Sequence, residues 1–69
     1  MPKVYVQSAL RRIEQTIPPG AARVQALSQL GQRLVVAMTE TTDQRERYRL
    51  RGMQQRVMRL AEDERRAAP

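Results

Sequence analysis

The sequence predicts an all-α fold: a short N-terminal helix followed by a hairpin of two longer amphipathic helices. Three observations carry this. Apolar residues recur at spacings of three and four along most of the chain, the period of a helix with one buried face. Pro18-Pro19-Gly20 is the one internal Pro/Gly cluster, and it splits off a short leading segment. After Met38 the apolar frame breaks at Thr39-Glu40-Thr41-Thr42-Asp43 and resumes in a different register.

The first element is expected over about 6–17. Val6, Ala9, Leu10, Ile13 and Ile17 fall in one sector of the helix, and Arg11, Glu14 and Gln15 face away. Ile17 precedes a proline, which pushes it out of the helical region and ends the element.

A second helix is expected over about 21–39, with Pro19 suited to its first turn, where a missing N–H costs nothing. Val24, Leu27, Leu30, Leu34, Val35 and Met38 share one face. Gln25, Gln29, Gln32, Arg33 and Glu40 share the other, where Val36 is the single apolar residue. Gly31 lies inside the apolar stripe. A mid-helix glycine costs about 1 kcal/mol relative to alanine, so close approach of another helix is expected there.

Threonines 39, 41 and 42 weaken the helix through their branched side chains. Asp43-Gln44-Arg45-Glu46 has the form of a capping box, with Asp43 as N-cap and Glu46 reaching back. A third helix is therefore expected over about 43–66, folded back as a hairpin, with 67–69 frayed; with no Gly or Pro in 39–43, the alternative is one continuous helix from Ala21 to Arg66. Leu50, Met53, Val57 and Leu60 make a heptad seam along it. With Leu27, Gly31, Leu34 and Met38 of the second helix they form the expected core or oligomer seam. Asp43–Arg47, Glu46–Arg49, Arg59–Asp63 and Glu62–Arg66 are spaced to pair on the helix surface.

A chain of 69 residues makes one small domain that buries only about 60% of its unfolded surface. It contains neither cysteine nor histidine, so it has no disulfide and no ordinary zinc ligand set. The expected route to a finished core is a second copy, giving a homo-oligomer, or docking on a partner.

The same two absences remove the usual general base and the usual thiol nucleophile. The acidic cluster Glu62-Asp63-Glu64 adjoins Arg65 and Arg66 and reads as a solvated helix face. The expectation is a protein that is not an enzyme and uses no cofactor. The longest apolar run, Leu34-Val35-Val36-Ala37-Met38, is far short of the ~20 residues that span a bilayer. Gln7, Ser8, Arg11 and Arg12 interrupt any secretory signal, which places the expected location in the cytoplasm.

The chain holds 13 basic and 7 acidic residues, a net charge of +6. All but one of the basic residues are arginine, and Asn and Phe are absent, the composition of a GC-rich bacterial or phage genome. Codon bias accounts for arginine over lysine but not for the excess of positive charge. Arg45, Arg49, Arg56 and Arg59 fall within about 80° of one another on an ideal helix, with Gly52 between them. Arg66 continues the stripe, and Arg47, Arg51 and Arg65 form a second cluster. Tyr48 and Met58 lie off the apolar seam, where an aromatic and a soft methionine suit a protein-binding patch. These six residues (Arg45, Arg49, Arg56, Arg59, Tyr48 and Met58) are the candidate site. The expected function is an interaction module that adapts, regulates or inhibits a larger protein through an acidic or apolar docking surface. The alternative is a DNA- or RNA-binding protein, a small transcriptional regulator for example, whose arginines contact phosphates. With two tyrosines and no Trp or Phe, surfaces for stacking single-stranded bases are scarce.

The opening Lys3-Val4-Tyr5-Val6-Gln7 alternates polar and apolar, as a short strand does, with Ser8 placed to cap a helix. Strand, helix, turn, helix resembles the order of ribbon-helix-helix repressors over roughly half the chain. The resemblance implies that Lys3, Tyr5 and Gln7 read bases while Val4 and Val6 face the core. The linker Pro18-Pro19-Gly20-Ala21 departs from that family, which places Gly followed by Ser or Thr between its helices. A helix-turn-helix is not matched either, since the segment 39–43 lacks a glycine-containing turn.

Overall fold

The computed structural model describes residues 5–67, which form three helices: α1 (Val6–Thr16), α2 (Ala21–Glu40) and α3 (Gln44–Ala67). No strand occurs among the described residues. Val6 and Gln7 lie in the first turn of α1, so the strand expected there is not formed at these positions. Lys3 and Val4 lie outside the described residues. One amphipathic stripe runs from Val6 through Ala9 and Leu10 to Ile13, and Val6 is buried with the core as the first residue of that helical stripe.

α1 ends where Pro18 forces Ile17 into an extended conformation (φ −118°, ψ 120°). The chain then turns through Gly20, whose φ of 122° is open only to glycine. Gly20, with no side chain to offer, is the N-cap of α2, and Pro19 precedes the helix instead of entering its first turn. Two long-reaching side chains supply what these helix ends lack. Arg23 donates from Nε and Nη2 to the Ile17 carbonyl (3.0 and 2.7 Å) and from Nη2 to the Glu14 carbonyl (3.1 Å). Its guanidinium therefore satisfies the C-terminal carbonyls of α1, the negative end of that helix. Glu64 of α3 accepts the Gly20 N–H at 2.9 Å, a carboxylate seated at the positive end of α2.

The hairpin turn is Thr41–Asp43. Thr41 is extended and its N–H donates to the Ala37 carbonyl at 3.1 Å. Asp43 caps α3 by accepting the Arg45 N–H on Oδ1 at 3.0 Å. Its own N–H, which a capping box gives to the glutamate, donates to Thr41 Oγ1 at 3.3 Å. Glu46 instead engages Arg49. Thr41 is thus part of the turn, beyond its effect on helix propensity.

α2 and α3 pack along their lengths, and α1 lies against α2. The buried core is Val6 of α1, Leu27, Leu30 and Leu34 of α2, and Leu50, Val57 and Ala61 of α3, with Leu34 and Val57 fully enclosed. Gly31 is buried as its position in the stripe requires: a Cβ there would stand 2.8 Å from Met58 Sδ. The seam departs from expectation at one place. Leu60 is 37% exposed, whereas the small neighbour Ala61 is 2% exposed. The buried line on α3 runs Leu50, Val57, Ala61, and so drifts off the strict heptad. Met38 and Met53 are half-buried beside the core. Leu27, Gly31, Leu34, Leu50 and Val57 are covered within the single chain.

The molecule measures 41 × 20 × 14 Å, with a radius of gyration of 12.4 Å against about 11 Å for a compact chain of this length. Its accessible surface is 5585 Å², where a compact protein of 8.0 kDa exposes about 4,400 Å². Little of the chain is interior, and its chemistry is presented on the outer faces of the helices.

Candidate functional site

Both faces of α3 away from α2 are open to solvent. Between Gln44 and Arg59 the helix carries six arginines (45, 47, 49, 51, 56 and 59) and one acidic residue, Glu46, a net charge of +5. The remainder, Leu60–Ala67, carries Arg65 and Arg66 against Glu62, Asp63 and Glu64, a net charge of −1. The positive charge is therefore gathered at the turn end of the hairpin and does not run its whole length.

The candidate arginines Arg45, Arg49, Arg56 and Arg59 are all exposed, and so is Tyr48, at 65%. Arg49 is braced by Glu46, with Nη2 at 2.7 Å and Nε at 3.2 Å from its carboxylate oxygens. That hydrogen bond, reinforced by the neighbouring charge, raises the Arg49 pKa further above its ordinary value. Of the other three expected surface pairs, Glu62–Arg66 forms at 3.6 Å. Asp43 spends its carboxylate on the cap, leaving Arg47 to donate to the Thr41 carbonyl at 3.0 Å. Arg59–Asp63 is not made, and Glu62 pairs additionally with Arg65 at 3.1 Å. Among the described residues Arg45, Arg51, Arg56 and Arg59 have no carboxylate within ion-pair distance.

This distribution works against the helix that carries it. The first turns of a helix are the positive end of its macrodipole, where acidic residues stabilise and basic ones do not. α3 places Arg45, Arg47 and Arg49 there. Gly52, in the middle of the stripe, has no atom within 4 Å of where its Cβ would stand, so packing does not call for a glycine at this position. At the turn, Arg47, Tyr48 and Arg51 line a shallow cleft with Thr42 and Gln44. It brings two guanidinium groups and an aromatic face together, chemistry suited to anions.

Met58 belongs elsewhere. Its side chain rests against Gly31, and it shields the α2–α3 contact while remaining 42% exposed. Its first role is packing. Arg23 and Glu64, which close the α1–α2 junction, had no signature in the sequence. A helix-end carbonyl does not announce its partner, and Glu64 reaches Gly20 across 44 residues.

Among the described residues no cluster of ligands able to hold a metal ion occurs, and no helix is long and apolar enough to cross a membrane. Fold and surface together define a basic three-helix protein with an arginine-rich outer face. Compared with known protein families, curated proteins and solved structures, the chain matches none of them.

Proposed function

We propose that this chain is a non-enzymatic interaction module that lays the arginine face of α3 on an acidic surface of a larger protein. The observation that supports the reading is the run of exposed arginines along the turn-side two thirds of α3, of which Arg45, Arg51, Arg56 and Arg59 have no carboxylate within ion-pair distance among the described residues. Tyr48 adds an exposed aromatic beside Arg47 and Arg51, the residue types that dominate interface energetics. The test is co-purification after nuclease treatment. A protein partner retained by the native chain is expected to be lost from a variant with Arg45, Arg49, Arg56 and Arg59 replaced by alanine.

The same unpaired arginines favour one second reading, contact with nucleic-acid phosphates. The two part in salt. A labelled random-sequence duplex is expected to bind only weakly and to be released by physiological salt, as non-specific contacts are. Duplex binding tighter than about 1 μM at physiological salt, a level non-specific binding does not reach, and abolished in the four-arginine variant, would put nucleic acid first.

A further inference from the structure

The face opposite the α3 stripe carries a second surface. α1 and α2 run antiparallel and leave between them an open groove of about 410 Å³. Ala9 and Ile13 of α1 and Ala26 of α2 form its apolar part, above the buried Leu30, with Ser8 and Gln29 beside them. Its rim is basic: Arg12 of α1 and Arg33 of α2. On each helix these residues recur at spacings of three and four, so each wall is a straight ridge along the helix axis. Two parallel ridges with an apolar floor form the seat that a third helix occupies.

The groove holds no carboxylate, and neither Arg12 nor Arg33 has one within ion-pair distance among the described residues. Tyr5, 68% exposed, stands at the edge. We infer that the α1–α2 groove receives an amphipathic helix of another protein, one whose apolar stripe is flanked by Asp or Glu to meet Arg12 and Arg33. A second copy of this chain does not fit. Its one acidic run, Glu62-Asp63-Glu64, lies on α3, where Glu62 is paired with Arg65 and Arg66, Glu64 holds Gly20, and the adjoining apolar face of Val57 and Ala61 is buried; Glu14, Glu40, Asp43 and Glu46 stand apart from it, Asp43 as the cap of α3 and Glu46 paired with Arg49. The net charge of +6 also sets copies against one another. The inference is independent of the α3 face and stands on different residues.

The test uses the full chain, labelled for amide NMR. It is titrated with a synthetic peptide of about 18 residues, long enough to form a helix alone, with Leu and Ala on one face flanked by Glu. A second peptide carries Lys in place of Glu. Saturable shifts at Ala9, Ile13, Ala26 and Leu30 with the Glu peptide, and none with the Lys peptide, are expected. Arg12→Glu with Arg33→Glu should weaken the Glu peptide tenfold or more and admit the Lys peptide; both side chains are exposed, so the fold is not at risk. Replacing Arg45, Arg49, Arg56 and Arg59 should leave groove binding unchanged, which separates this inference from the reading of α3. Shifts confined to α3, no saturation at millimolar peptide, or equal response to both peptides would overturn it. So would a DNA duplex that moves the same groove resonances.

Discussion

Gly31 and Gly52 are both glycines inside helices, yet they do opposite things. Gly52 meets nothing, and Gly52→Ala should raise stability by about 0.5–1 kcal/mol, the propensity difference between the two residues. Gly31→Ala gains the same propensity but has to displace the Met58 thioether, and should therefore stabilise less than Gly52→Ala. Urea denaturation of the two variants reads the order directly. If Gly52 is kept for close approach of a partner, Gly52→Ala should also weaken the interaction proposed for α3 while stabilising the free protein. Leu34 and Val57 are the enclosed centre of a small core, and Leu34→Ala should cost about 3 kcal/mol, a large part of the stability of a domain this size. Glu64→Gln removes the charge seated at the start of α2 while keeping the shape. A loss of about 1 kcal/mol is expected, on the scale of a helix cap.

At the level of elements, the helices were legible because each carries a stripe of matching period and each boundary has a local chemical cause: Pro18 after Ile17, and Asp43 before α3. The hairpin was legible in the frame break, which a continuous helix does not show. The candidate arginines were legible as an exposed face because the seam opposite them is so clear. What was not legible depends on partners distant in sequence. Ala61 and not Leu60 is buried, which depends on how the helices pack and not on the periodicity of α3 alone. The groove went unseen because Ala9 and Arg12 on one helix and Ala26 and Arg33 on the other acquire a common meaning only when α1 is laid beside α2. α1 contributes a single buried residue, Val6, and depends on Arg23 at its end. Amide exchange should therefore show α1 opening without the hairpin, with protection well below that of α2 and α3. Arg23→Ala should lower α1 protection further while leaving Leu50–Ala61 unchanged.

As a whole, the molecule is a thin slab of 41 × 20 × 14 Å whose α3 gathers its positive charge toward the hairpin turn. Its seam is covered within one chain and its charge opposes self-association, so light scattering at micromolar concentration and low salt is expected to give a mass near 8.0 kDa. A dimer mass would direct attention to Leu60 and Met53, the apolar residues left at the edge of α3. With so small a core, a ligand that binds only the folded chain should raise the melting temperature, by an amount that grows with the logarithm of its concentration over Kd. That gives a screen for partners needing no assumption about which face they use.

The Gly20–Glu64 hydrogen bond ties the start of α2 to the last turns of α3. Its consequence lies in the order of assembly. The turn at Thr41–Asp43 closes from neighbours in sequence, so the hairpin can form early, as local contacts do. α1 packs on α2, and the junction between them is completed when the far end of α3 arrives and Glu64 accepts the Gly20 N–H. During synthesis on the ribosome α1 emerges before the hairpin that completes its surroundings, and pulse-labelled amide exchange is expected to show it protected last. It spends that interval as an exposed, basic, amphipathic segment whose nearest apolar surface is its own unfinished hairpin.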